Sequence, residues 1–465
     1  MKEAVNPFSS SFKALSIPSK ALVASMKEDR ALENAPSAIR EALESPIGSP
    51  SLLSIALSKK NANSKATACI LISDNTRPVP YKGENGLLLP IIETLKAAGF
   101  REDEITLLVA TGMHKPMSEE ELRVILDERI FSMGVRIVNH EPTNPDLLRY
   151  IGTTERGTRA VVDTRYLDAD LKIATGLVES HFMAGASGGR KAICPGIIGE
   201  ESTYVFHGPA LMADPESKDL NLKGNPVHEE SLAVAKLAGM DFLVNVTLNG
   251  SFEITGVFAG DLEKAHYAAV EKLKDAVCMP IEKKYDVVVT HAGFVGINHY
   301  QAAKCAVASL GALKENGYLI IIADATDKKG VIGSANYRTT LALLKLVGPD
   351  NFIRLITSPD WTFLPEQWQV QQWAKLFWRI PQDHLMFYAP QIKDEEFALL
   401  PGKSIRGMWS ENEKEKYDTR EDGFRQAVLT ALENIAEKKG VSVEDLDCAY
   451  LSEGPYGIPV VTEDK

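Results

Sequence analysis

Along the chain, short unbroken apolar runs alternate with amphipathic stretches of helical period. ATACILISD (66–74) predicts a buried strand, and NGLLLPIIETLKAAGF after it a helix that closes near Gly99. ITLLVATG (105–112) predicts a second strand and EEELRVILDERI, after Pro116, a second helix; VRIVNHE and ADLKIATGLV continue the series. Strands separated by helical segments of about 10–15 residues predict a mainly parallel sheet. After Met279-Pro280 the pattern restarts, with KYDVVVTHAG as a strand, QAAKCAVASLGALKENG as a helix and YLIIIADAT as the next strand. EFALLPGKSIRGMWSENEKEKYDT (396–419) reads as irregular, GFRQAVLTALENIAEKKG as a helix and CAYLSEG as a strand. The fold class is α/β, with two α/β domains and mainly parallel sheets. We place an N-terminal domain at residues 1–280, rejoined by the C-terminal segment 420–465, and a second domain at 281–419.

Length agrees with this division, because 465 residues exceed what one core accommodates. The net charge of -12 argues against a general nucleic-acid binder, which needs a basic surface. No apolar run approaches the roughly 18 residues of a membrane span, and the N-terminus lacks the apolar core of a secretory signal. Cys69, Cys194, Cys278, Cys305 and Cys448 are scattered, with no CxxC pair and no evident disulfide framework. The expected location is the cytosol.

Candidate chemistry concentrates in GLVESHFMAGASGGRKAICPGIIGEESTYVFH (176–207). It contains His181, the turn Ser187-Gly188-Gly189-Arg190-Lys191, and His207. Glycines let backbone approach a ligand closely, and amides beside Arg and Lys suit a phosphate. A neutral imidazole serves as a proton-transfer base or a metal ligand. In parallel α/β folds ligands gather at the carboxyl ends of strands, and polar groups fall there repeatedly. Asp74-Asn75-Thr76-Arg77 follows the first strand, His114-Lys115-Pro116 the second, His181 the strand ending near Val178, and Asn298-His299-Tyr300-Gln301 with Lys304 the strand after residue 285.

Each residue alone has a plainer reading. Asp74 and Thr76 suit a cap or turn, Arg77 an ion pair with Asp74, His114 a loop and Lys304 a solvated helix face. Ser187-Gly188-Gly189 makes an ordinary flexible turn, since short glycine motifs are weak signals. Trp361 and the aromatics of EQWQVQQW suit packing, as does Cys194. His140, His228, His266 and His384 have no supporting context, and His291 and His299 lie near the second cluster without an evident role. The coincidence at four strand ends is what argues for a site.

Taken together, SDNTRP (73–78), TGMHKP (111–116), ESHFMAGASGGRKAICPGI (179–197), His207, HYQAAK (299–304), and SPDWTF followed by EQWQVQ resemble the nickel-dependent lactate racemase family. The resemblance runs from about residue 66 to residue 375; the segment before residue 66 is not matched. It implies two α/β domains with the active site in the cleft between them. It also implies a nickel-pincer nucleotide, pyridinium-3-thioamide-5-thiocarboxylic acid mononucleotide holding Ni through S, C and S atoms. By the same resemblance, Lys191 tethers the cofactor covalently, His207 completes nickel coordination, and His114 and His181 are the two bases. Arg77, positioned by Asp74, together with Gln301 and Lys304, binds substrate and neighbouring cofactor atoms. Tyr300 and Trp361 line the pocket, and Ser187, Gly188, Gly189 and Arg190 lie where the nucleotide phosphate is expected. The implied reaction inverts C2 of a 2-hydroxy acid by reversible hydride transfer through a 2-oxo acid. It also implies cofactor-biosynthesis proteins as partners. Lactate-like, malate-like and sugar acids all remain open as substrates.

Two other readings stay open from the residues. One is a zinc hydrolase ligated by His114, His181 and His207, which leaves Lys191 and the turn unexplained. The other is a non-catalytic paralogue that binds the nickel cofactor, to which two bases would be superfluous.

Overall fold

Residues 1–5, 14–328, 330–418 and 420–462 are described by the structure, a computed structural model. Its contacts divide the chain into two compact units, Glu28–Ala276 and Met1–Lys27 with Val277–Lys465. Each is built on its own six-stranded sheet.

In the 28–276 unit the sheet runs, edge to edge, Ile254–Gly260, Phe242–Leu248, Leu171–Leu177, Ala68–Ile72, Ile105–Val109 and Arg136–Asn139. All neighbours are parallel except the first pair, which is an antiparallel hairpin. Ala68–Ile72 is buried at every position, as a central parallel strand covered on both faces must be. One face packs on the helices Ala35–Glu44 and Leu88–Ala97 through Ile39, Leu43, Leu88, Ile91, Ile92 and Leu95. The single helix expected after Pro116 is two, Glu119–Ile125 and Glu128–Met133, because Asp127 caps a new start.

In the other unit all six strands are parallel, in the order Lys403–Ser404, Leu385–Tyr388, Leu313–Ile322, Tyr285–His291, Cys448–Leu451 and Leu22–Ala24. Here the structure departs from the expected division. The C-terminal strand Cys448–Leu451 pairs in register with both Tyr285–His291 and Leu22–Ala24, so segment 420–465 and the first 27 residues belong with this sheet, not the other. The physical reason is the need to cover a parallel sheet twice. Helices Ala335–Val347 and Gln367–Arg379 cover one face. The second face, with Val287, Val289, Ile320 and Ile322, is covered by Phe424, Val428, Leu432 and Ile435 of the helix Arg420–Lys439.

Two local expectations also shift. The helix expected over 301–317 is His299–Ala308, because LKENG already belongs to the strand Leu313–Ile322. Segment 396–419, expected to be irregular, holds the helix Glu411–Tyr417, started by a capping box in which Ser410 and Glu413 satisfy each other's amides. Among the described residues no helix is long and apolar enough to cross a membrane.

Candidate active site

In the 28–276 unit the carboxyl ends of three adjacent parallel strands carry the polar loops expected there. Asp74 follows Ala68–Ile72 and is buried. Its Oδ1 accepts from the Thr76 amide at 3.1 Å and the Thr76 hydroxyl at 2.5 Å, and its Oδ2 lies 2.7 Å from His114 Nδ1. Burial alone would raise the Asp74 carboxyl, but the hydrogen bonds from His114 and Thr76 hold it below its ordinary value. An ionised carboxylate only accepts, so a neutral His114 carries its proton on Nδ1 and presents a bare Nε2. The His114 side chain is 61% exposed, open to a ligand.

Asp74 therefore orients His114, whereas the sequence reading gave it to Arg77. The Arg77 amide does donate to the Asp74 carbonyl at 3.2 Å. Its guanidinium instead faces Glu179 at 3.9 Å, too long for a hydrogen bond. Glu179 was missed, although it stands two residues before His181 in the ESH run.

His181 sits in a small hairpin that pairs Ser180–His181 with Gly185–Ala186. The Met183 and Ala184 amides each donate to its Nδ1 at 3.3 Å. Its neutral ring then carries the proton on Nε2, the tautomer opposite to that of His114. Segment 214–225 fastens the hairpin. The Ser180 hydroxyl bonds Asp219, the Leu220 amide donates to the Gly185 carbonyl at 2.9 Å, and Asn225 Nδ2 donates to the Met183 carbonyl at 3.0 Å.

Lys191 and His207 both lie beside Phe206. Lys191 Nζ stands 5.5 Å from the Phe206 ring centre, and the His207 ring centre is 4.4 Å from it. Burial, then the neighbouring Arg190 and Arg77 charges, pull the Lys191 amine down to about 7. Burial, then Lys191, pull the His207 imidazole down to about 3, so it is neutral at ordinary pH. A nucleophilic amine and a ligating imidazole are the forms these environments favour.

The turn leading into Lys191 has several of its amides engaged within the protein. The Ser187 amide donates to the Glu179 carbonyl at 2.9 Å, the Gly189 amide to Asn245 Oδ1 at 3.0 Å and the Lys191 amide to the Gly188 carbonyl at 3.1 Å. A Cβ on Gly188 would lie 2.8 Å from Val178, and one on Gly189 2.7 Å from His266. Arg190 is buried, with its guanidinium 2.6 Å from the Ala184 carbonyl and 3.2 Å from His266 Nε2. Residues 187–190 thus hold the Lys191 turn against the sheet, and their glycines allow that close packing. Asn245, polar in the middle of the apolar strand Phe242–Leu248, was the legible sign of this anchor. Cys194 is fully buried and its thiol is pushed up to about 12 by burial, which makes it a packing group.

Tyr300, Gln301, Lys304 and Trp361 belong to the other unit. Tyr300, Gln301 and Lys304 lie in the helix His299–Ala308, whose start is capped by Asn298 accepting from the Gln301 amide at 2.9 Å. Gln301 and Lys304, three apart, share a helix face. Trp361 Nε1 donates to Gln367 Oε1 at 3.0 Å.

Two of the remaining histidines are held by buried contacts. His140 is buried with Nδ1 2.9 Å from Asp163 and Nε2 3.0 Å from the Ile198 carbonyl. His299 lies 2.9 Å from the Tyr337 hydroxyl and stacks on Trp373. Among the described residues no three His, Cys, Asp or Glu side chains are grouped to hold a metal ion, so His114, His181 and His207 do not form the three-ligand cluster that a zinc hydrolase needs.

Residues 8–219 match the lactate racemase N-terminal domain family. The chain is 31% identical over 360 residues to the lactate racemase of Lactiplantibacillus plantarum, covering 77% of this chain and 80% of that one. It is 31% identical over 375 residues to the lactate racemase of Thermoanaerobacterium thermosaccharolyticum, covering 79% and 83%. Its fold is similar to that of the lactate racemase apoprotein from the latter organism, with a TM-score of 0.81 at 24% identity over 98% of this chain and 100% of that one. It is also similar, with a TM-score of 0.59 at 17% identity, to a protein from Thermotoga maritima, over 89% and 99%. The chain belongs to the lactate racemase family, and with it to the isomerases.

Proposed function

We propose that this isomerase inverts C2 of a 2-hydroxy acid, with a nickel-pincer nucleotide tethered at Lys191 and its nickel ligated by His207. The observation that carries the reading is the pair flanking Phe206, a lysine amine held near neutrality beside a histidine kept uncharged. An uncharged amine is the form that becomes acylated, and an uncharged imidazole the form that ligates a borderline metal such as nickel. When bound, the cofactor supplies an electron-poor ring that accepts and returns hydride, avoiding a carbanion beside the carboxylate.

The rest is the work of this chain's own side chains. His114 Nε2 takes the hydroxyl proton of one enantiomer, and Asp74 stabilises the imidazolium that forms. To complete the inversion His181 must be protonated when the 2-oxo acid forms. Its Nε2–H then gives a proton to the C2 oxygen and leaves a neutral ring, while the proton held by His114 returns to solvent. To act as base for the opposite enantiomer, its Nδ1 must release the Met183 and Ala184 amides. At 3.3 Å those contacts are long and readily given up. Arg77 is proposed to grip the substrate carboxylate with its fork, and Gln301 and Lys304 to bind substrate as well. Tyr300 and Trp361 are proposed pocket groups.

The test is a chiral assay of the cofactor-loaded protein on single enantiomers of lactate, malate and larger 2-hydroxy acids. Appearance of the other enantiomer without net oxidation supports the reading. Absence of inversion on all of them, in protein carrying the cofactor, overturns it and leaves a non-catalytic binder. Protein from a host lacking the cofactor-building enzymes is expected to be inactive.

A further inference from the structure

The helix Gln367–Arg379 buries an unusual face. Gln367, Gln369, Gln371 and Gln372 are all at most 2% exposed. Apolar residues there would pack as well, and a buried amide costs stability unless it is hydrogen-bonded. Three residues of its first turn direct their polar groups at the two aromatic residues assigned above. Gln367 Oε1 accepts from Trp361 Nε1 at 3.0 Å, Gln369 Nε2 donates to the Tyr300 carbonyl at 2.7 Å, and Trp368 Nε1 donates to the Tyr300 hydroxyl at 3.0 Å. Tyr300 is thereby held at both ends, its backbone by Gln369 and its phenol by Trp368.

The chemistry of the last contact is directional. An indole N–H only donates, so it occupies a lone pair of the phenol oxygen and leaves the phenol O–H to donate elsewhere. Tyr300 as a residue is half-buried. Burial pushes its ionisation up to about 12, with the Trp368 bond opposing, so it remains a neutral donor at working pH.

We propose that Trp368 is a positioning residue that fixes the Tyr300 hydroxyl as a hydrogen-bond donor to an oxygen of the 2-hydroxy acid. Gln369 secures the Tyr300 backbone, and Gln367 orients Trp361 in the same turn. This rests on the 2-hydroxy acid reading above. The oxygen served is the carboxylate or the C2 oxygen, where negative charge resides or develops, and a donor there is worth most.

The experiment uses cofactor-loaded holoenzyme and the 2-hydroxy acid that wild type inverts fastest, with Tyr300→Phe, Trp368→Phe and the double variant. Trp368→Phe keeps an aromatic ring but removes the N–H together with part of the indole, which is why the double variant and the second readout below are needed. Each single change is expected to lower kcat/KM by about tenfold or more, the effect of one hydrogen bond to a charged group. The double variant is expected to be no worse than Tyr300→Phe, because Trp368 acts through that hydroxyl. A merely structural tryptophan gives losses that multiply, and that result overturns the proposal, as does wild-type kinetics in Trp368→Phe. A second readout is independent of turnover. With 3-fluorotyrosine at position 300, the ¹⁹F resonance is expected to move when the acid is added, and Trp368→Phe to remove most of that movement. An unchanged response in Trp368→Phe overturns the proposal even where the kinetic variants are unstable. If loaded wild type inverts no 2-hydroxy acid, it is the functional reading itself that fails.

Discussion

Asp74→Asn is the sharpest perturbation the site offers, because geometry dictates its sign. The Thr76 amide and hydroxyl, at 3.1 and 2.5 Å, both donate to Oδ1 and so fix the amide oxygen of an introduced asparagine in that place. Its Nδ2 then stands where Oδ2 stood, 2.7 Å from His114 Nδ1. An N–H there makes Nδ1 an acceptor and moves the ring proton to Nε2, the atom that must take the substrate proton. Loss of the charge-assisted bond alone costs about 1.5–3 kcal/mol, and the exposed histidine argues for the lower figure, about tenfold in rate. Tautomer reversal adds to this; in serine proteases the equivalent change costs about 10⁴-fold. We therefore expect kcat to fall by between about 10² and 10⁴. Asp74→Ala lacks the wrong donor and leaves His114 able to find its working tautomer, so it is expected to retain more activity than Asp74→Asn. Steady-state racemisation of both variants, with ¹⁵N shifts of the His114 ring in apoprotein, checks the two halves separately. Asparagine equal to or better than alanine, or an unchanged His114 tautomer, refutes the reasoning. Since the Asp74 carboxyl ionises below its ordinary value, its bonds stabilise the fold above the ordinary carboxylate range and fade as pH falls through the native value. The stability deficit of Asp74→Asn should shrink accordingly in acid.

Other expectations concern the supports of the site. Lys191→Met is expected to raise apoprotein Tm at pH 6 and to have lost that gain near pH 10. The native amine titrates at about 7, so its charge penalises the fold below that pH and ceases to do so towards the ordinary lysine range; a pH-independent difference contradicts this. His140→Phe strips a buried carboxylate and a carbonyl of their partner, and is expected to cost about 3 kcal/mol in urea denaturation. Gly185→Ala places a Cβ 2.2 Å from the Asn221 carbonyl oxygen at a φ of +75°. It is expected to distort the His181 hairpin, lowering Tm by the equivalent of about 1–3 kcal/mol and kcat along with it.

Much of this arrangement was legible in the chain. The strands Ala68–Ile72, Ile105–Val109, Leu171–Leu177 and Tyr285–His291 each follow from a short, mostly apolar run, and His114 and His181 follow strand ends in the sequence. The allegiance of residues 420–465 was not legible, since an apolar helix face shows that it must be covered but not which sheet it covers. The partner of Asp74 was hidden for a related reason. Arg77 is nearer in sequence, but the loop after Ile105–Val109 brings His114 to the same strand-end layer. In the SGGRK turn the glycines permit close packing against Val178 and His266, a demand that the sequence does not distinguish from close approach to a phosphate. The burial of the glutamines in EQWQVQQW has no signal in the sequence, where polar amides do not mark a core-facing position.

The most direct measurement is intact-mass analysis with peptide mapping of protein made alongside the cofactor-building enzymes, with nickel counted on the same sample. The account expects an adduct confined to the peptide bearing Lys191, about one nickel per adduct, and loss of the metal but not of the adduct in His207→Ala. Racemisation by protein whose Lys191 is unmodified would contradict it.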